Sequence, residues 1–101
     1  MSNGQLEHVN ITVSDPQQGA VLLRDLFGWH IRWEGPSMSA GRTIHIGTAD
    51  AYVALYSHPA VRAADPKFNK GEPITHAAVT ADYLDAVEPK AISAGMTPFG
   101  P

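Results

Sequence analysis

The sequence contains no cysteine, which excludes a disulfide scaffold, a thiol nucleophile and a thiolate metal site. It also lacks an apolar run near the roughly 20 residues of a membrane span, and it does not open with a signal-peptide pattern. Positive charge is scarce, because seven lysines and arginines stand against ten aspartates and glutamates, a net charge of -3. We therefore expect no nucleic-acid partner, no membrane partner and a cytoplasmic location.

The chain has instead the composition of one small globular domain, with 44% hydrophobic residues in a length of 101. Residues 6–13 alternate apolar and polar, which predicts a half-buried strand. Asp15 and Pro16 suit the N-cap and first position of a helix, and Gly28 suits the left-handed position that ends it. This pattern predicts a strand followed by an amphipathic helix.

Three further strands are predicted after that helix. Their ranges are 29–34, 42–46 and 51–57, with a turn at Ala49-Asp50 between the last two. The Gly35-Pro36 pair is expected to bend or break the first of them. Trp29 and Trp33 are expected in the core or in a dimer interface rather than in a cofactor stack.

The pattern then begins again. Leu6 and His8 match Ile74 and His76 at an offset of 68 residues, and Gly95 ends a second predicted helix as Gly28 ends the first. We expect Asp82 to cap that helix and Pro89 to kink it or delay its start. The predicted organisation is a first βαβββ module (1–57), a linker loop (58–73) and the start of a second module (74–101), with the remaining strands absent from this chain.

The predicted strands have one apolar face for the helix and one polar face. The polar face is rich in histidine and tyrosine, which is typical of a partly polar concave surface that binds small molecules. Its members are His8, Asn10, Thr12, Thr43, His45, Tyr52, Ala54, Tyr56 and His76.

His8 and His76 occupy equivalent positions of the repeat, so the two modules would bring them face to face. Neutral imidazoles ligate Fe, Mn, Ni and Zn, and a third ligand would be a carboxylate that residues 1–101 do not supply in the right place. The alternative is that both are ordinary strand histidines. His45 has two readings as well: a hydrogen-bonded strand residue, which is favoured, or a group that contacts or deprotonates a substrate.

The 6–13 strand, the Asp15-Pro16 helix start, the run from Leu26 to Trp29 and the restart at Ile74-Thr75-His76 together resemble the vicinal oxygen chelate superfamily. That group includes glyoxalase I, bleomycin-resistance proteins and extradiol dioxygenases. The resemblance implies an α+β fold of paired βαβββ modules around a cup, with a divalent metal held at the positions of His8 and His76. Glyoxalase-like members add a glutamate on the fourth strand, where this chain has Ala54, so a glyoxalase I site is disfavoured.

From this resemblance we expect a divalent-metal-dependent enzyme that acts on a small oxygenated substrate. His8 and His76 would bind the metal, and Asn10, His45 and Tyr56 would contact the substrate. The alternative is a metal-free binding protein of the same fold, which would take an antibiotic-like small molecule. In either case the resemblance implies a homodimer.

Overall fold

A computed structural model describes residues 3–37, 41–58 and 77–96. Four strands and two helices follow one another in the order β1, α1, β2, β3, β4 and α2. Their bounds are β1 His8–Thr12, α1 Pro16–Phe27, β2 His30–Pro36, β3 Arg42–Gly47, β4 Tyr52–Tyr56 and α2 Leu84–Ser93. The α+β class and the βαβββ order of the first five elements confirm the prediction. In the described ranges, neither helix is long and apolar enough to cross a bilayer.

The ends of α1 form as the sequence indicates. The Asp15 carboxylate accepts a hydrogen bond from the backbone N–H of Gln18 at 3.1 Å, and Pro16 is the first helical residue. Gly28 ends the helix at φ 69°, and its N–H donates to the Arg24 carbonyl. A side chain at this φ would be strained, so glycine is the natural residue here.

The four strands form one sheet in the order β1-β4-β3-β2. β1 runs parallel to β4, while β3 is antiparallel to both of its neighbours. The parallel pair is possible because α1 carries the chain back over one face of the sheet. That connection places β1 and β2 at the two edges.

α1 covers one face of the sheet and buries the core there. Ala20, Ile44 and Ile46 have no exposed surface, and Leu55 is 4% exposed. Ile44, Ile46 and Leu55 are on the apolar strand face that the alternation predicts. Side chains that pack around them are half-buried: Val13, Leu23, Trp29, Ile31 and Val53. The core thus fixes which side of every strand faces away from the helix.

The break expected at Gly35-Pro36 comes later than predicted, because β2 continues through Gly35 and ends at Pro36. A proline is tolerated there since β2 is an edge strand. The irregularity lies earlier: Ile31 pairs with Ile46 but Trp33 pairs with His45, which leaves Arg32 as an extra residue in a β-bulge. After the bulge, Trp33 is no longer on the side that Ile31 occupies.

α2 packs against α1 rather than on the sheet. Its N-cap is Tyr83, not Asp82 as expected, and Pro89 lies inside the helix without ending it. The strand predicted for residues 74–80 is not formed over 77–80, and its first three residues lie outside the described ranges. A strand needs a hydrogen-bonded neighbour, and the sheet of the described residues contains β1–β4 alone. The predicted linker, apart from His58, also lies outside.

Gly47 gives a direct test of the β3-β4 packing. A Cβ atom built on Gly47 would lie 2.6 Å from Tyr52 Cα and 2.8 Å from Tyr52 Cβ. Gly47→Ala should therefore lower the free energy of unfolding by about 1–3 kcal/mol, measured by urea denaturation. Gly4→Ala is the control, because nothing lies within 4 Å of its Cβ. Equal denaturation midpoints for the two variants would contradict this register.

Candidate functional site

The sheet face opposite α1, which we call the polar face, presents side chains in three cross-strand rows. Neighbours in a row are paired residues of β1, β4 and β3, so they lie side by side. The rows are His8, Tyr52 and Gly47; Asn10, Ala54 and His45; and Thr12, Tyr56 and Thr43.

Four rings from all four strands gather on this face, and we call them the ring cluster: His8, Trp33, His45 and Tyr52. The Tyr52 ring stacks on both histidines, at centroid distances of 4.8 Å to His8 and 4.6 Å to His45. The two imidazoles are 6.4 Å apart and nearly parallel. Trp33 lies at the β2 side, 5.1 Å from His45. The cluster therefore spans the whole width of the sheet.

The bulge in β2 is what places Trp33 and Arg32 in this arrangement. The Arg32 guanidinium lies 4.4 Å from the centre of the Tyr52 ring, and its Nη1 donates to the Thr48 carbonyl at 3.3 Å. To reach Tyr52 on β4, Arg32 must cross β3, where the row has only Gly47. Because glycine has no side chain, the cation can lie against the tyrosine ring.

His8 has a defined orientation. Its Nδ1 lies 2.9 Å from a carboxylate oxygen of Glu7. The carboxylate accepts only, so Nδ1 carries the proton, and the neutral ring keeps its lone pair on Nε2. Metal-binding histidines are commonly held in this way by a carboxylate on the other nitrogen. His8 is thus suited to act as a ligand or a proton acceptor through Nε2.

His45 is held in its neutral form. Its pKa is lowered from the ordinary value of 6.5, first by burial and then by the neighbouring charges of His8 and Arg32. Burial removes water from the charged ring, and positive charge on either neighbour disfavours an added proton. At neutral pH His45 is therefore an uncharged imidazole that can accept a proton or a hydrogen bond.

The structure brings together several of the residues that the sequence singles out. His8 and His45 lie in one cluster, and Asn10 lies in the His45 row with Ala54 between them. Tyr56 is one row away, with its ring 6.2 Å from His58. His76 lies outside the described residues.

Ala54 lies between Asn10 and His45 in the middle row and is 4% exposed. Its side chain has no atom that could bind a metal. Over residues 3–37, 41–58 and 77–96, no three histidine, aspartate or glutamate side chains lie close enough together to hold a metal ion. Of the two expected metal ligands, His8 and His76, only His8 lies in these ranges. Its Nε2 is the nitrogen that could bind a metal ion, because Nδ1 bonds to Glu7.

Sequence reasoning missed Arg32 and assigned Trp33 to the core or a dimer interface. The core assignment is wrong, since Trp33 is 50% exposed and contacts His45 on the polar face. The sequence Trp33-Glu34-Gly35 could have indicated that Trp33 lies on the polar face. A Cβ atom on Gly35 would lie 2.8 Å from the Trp33 ring, so the indole covers a glycine two residues away on the same face.

Comparisons with known proteins agree with this architecture. A model of the Glyoxalase/Bleomycin resistance protein/Dioxygenase superfamily matches residues 5–98. A search of curated proteins finds no match.

Solved structures with a similar fold include fosfomycin resistance protein FosX from Listeria monocytogenes, complexed with Mn(II) and 1S,2S-dihydroxypropylphosphonic acid. It is 15% identical, with a TM-score of 0.67 over 97% of this chain and 78% of that one. A glyoxylase/bleomycin resistance protein/dioxygenase domain from Frankia sp. EAN1pec is 18% identical, with a TM-score of 0.71 over 95% and 77%. FosX from Mesorhizobium loti is 16% identical, with a TM-score of 0.58 over 94% and 72%. At these identities the likeness concerns the fold.

The lowered pKa of His45 makes stability depend on pH. The unfolded chain protonates this residue at a higher pH than the folded chain does, so the free energy of unfolding falls as pH drops through 6.5. The fall ends below the folded-state pKa. His45→Gln should reduce this slope between about pH 7 and pH 5, measured by urea denaturation at several pH values. His30→Gln, at the start of β2, is the control, and an equal slope in wild type and His45→Gln would refute the assignment.

Proposed function

Because the chain belongs to the Glyoxalase/Bleomycin resistance protein/Dioxygenase superfamily, we propose that it is a divalent-metal-dependent enzyme acting on a small oxygenated substrate at the polar face. The observation that carries the proposal is the hydrogen bond between His8 Nδ1 and Glu7. With the proton on Nδ1, the lone pair on Nε2 of His8 is left for a metal ion. Carboxylates that bond to metal-binding histidines have the same effect. His76 is the proposed second ligand.

Fe, Mn, Ni and Zn all accept imidazole nitrogen, so two histidine ligands are compatible with each of these metals. Listeria monocytogenes FosX, which has a similar fold, was solved with Mn(II). A bound divalent ion would act as a Lewis acid on adjacent oxygen atoms of the substrate. Mn(II) is therefore the first metal to test.

The protein's own groups would bind and orient the substrate. The Asn10 amide can donate and accept hydrogen bonds, and the Tyr56 hydroxyl can do the same one row away. His45 is neutral because of its lowered pKa, so it can accept a proton from a bound substrate.

The metal proposal is tested by titrating Mn(II) into the metal-free protein and measuring the affinity by calorimetry. We expect one ion per chain, and His8→Ala and His76→Ala should each weaken binding at least about tenfold. Glu7→Gln should weaken it by a similar factor, since it removes the carboxylate that orients His8. His30→Ala is the matched control and should bind like wild type. Unchanged affinity in both His8→Ala and His76→Ala would overturn the proposal.

A second function is favoured by Ala54 and the ring cluster: metal-free binding of an antibiotic-like small molecule. The fourth strand has Ala54 at the position where glyoxalase-like members have a glutamate. The stacked rings offer flat apolar surface for a small molecule. In this case Trp33 fluorescence should change on ligand addition in the presence of EDTA. The affinity should be the same with and without added Mn(II), and His76→Ala should bind like wild type. Ligand binding that requires added metal would exclude this alternative.

We also propose that residues 74–101 begin a second module and that the protein forms a homodimer. Gly95 has φ 96° after α2, matching Gly28 at 69° after α1, which supports the repeat. Large apolar side chains of the α2 region are exposed, Tyr83 at 78% and Leu84 at 64%. Such side chains suit contact with a further packed element.

A further inference from the structure

Arg32 differs from the other arginines of the described ranges. Arg24 lies 3.5 Å from the Asp25 carboxylate, and Arg42 is paired with Glu34. Within residues 3–37, 41–58 and 77–96, no carboxylate lies within ion-pair distance of Arg32. Its guanidinium has five N–H donors, and the contact to the Thr48 carbonyl uses one nitrogen. Among the described residues, therefore, no carboxylate pairs with this cation of the polar face.

Trp33 follows Arg32 in the sequence, and its apolar indole ring lies on the same face of the sheet. Trp33 is half-exposed, and its indole is anchored on one side by His45 and above Gly35. Half of its surface is open to a ligand. An anchored indole loses little conformational freedom on binding, which favours stacking of a planar group.

We propose that Arg32 and Trp33 form a subsite for an aromatic carboxylate. This inference rests on the proposed function, because the subsite belongs to the same polar face. A planar carboxylate matches the guanidinium fork through two parallel hydrogen bonds. The aromatic body attached to it would lie against the indole. A phosphate or phosphonate would also satisfy the guanidinium, but without an aromatic body it would leave the indole unused.

The charges around the subsite agree with an anionic ligand. His8 and Arg32 flank Tyr52 from opposite sides, and the acid adjacent to the cluster, Glu7, is already bonded to His8. An incoming carboxylate would thus meet a cation and two imidazoles. Electrostatic complementarity of this kind selects anions over neutral analogues of the same shape.

The test uses 2-naphthoate as the probe and isothermal titration calorimetry on the EDTA-treated protein. 2-Naphthalenemethanol is the neutral analogue, and inorganic phosphate is the anion without an aromatic body. We expect 2-naphthoate to bind at least about fivefold more tightly than the alcohol. Arg32→Met and Trp33→Leu should each weaken its binding by a similar factor. Arg32→Lys keeps the charge but not the fork and should give an intermediate affinity.

Arg24→Met is the matched control, since it removes an arginine that is already paired with an acid on α1. Naphthoate affinity that is unchanged in Arg32→Met, or no binding at all, would overturn the subsite. Phosphate binding as tight as naphthoate would overturn the aromatic part of the assignment. Mn(II) titration of Arg32→Met separates this result from the metal proposal. The variant should keep wild-type affinity for Mn(II), whether or not its affinity for 2-naphthoate changes.

Discussion

The extra residue in β2 sets the composition of the polar face. With one residue more than β3 opposite it, β2 turns Trp33 toward His45 and leaves Arg32 free to reach across Gly47 to Tyr52. Without the bulge, strict alternation would place Trp33 with Ile31 on the side of the helix. The place of Trp33 in the ring cluster and the contact of Arg32 with Tyr52 follow from this local change of register.

The face is organised by charge as well as by stacking. Positive charge on His8 or Arg32 disfavours a proton on His45, while the Glu7 carboxylate accepts a hydrogen bond from His8 Nδ1. The two imidazoles, which are 6.4 Å apart, therefore have different surroundings. His8 presents an oriented lone pair at the edge strand β1, and His45 stays neutral in the middle of the sheet. Such a division suits a site in which one ring holds a ligand and the other receives a proton.

Much of the fold could be predicted from the sequence, because period and capping chemistry are local. Asp15, Pro16 and Gly28 defined α1, and the alternating strands placed Ile44, Ile46 and Leu55 in the core. The site was only partly predictable. His8, Asn10 and His45 follow from strand parity, whereas Arg32 and Trp33 depend on a bulge that strand parity does not indicate. The later end of β2, at Pro36, has a similar origin, since a proline is acceptable only when the strand is known to be at an edge.

We propose that the polar face holds a divalent metal through His8. The most direct measurement is paramagnetic broadening of backbone amide signals in nuclear magnetic resonance spectra on addition of substoichiometric Mn(II). We expect the amide signals of His8, its β1 neighbours and His76 to be lost first. The amide signals of α2 should remain sharp. Broadening that centres on the exposed acids of α2, Asp85 and Glu88, with β1 unaffected, would contradict it.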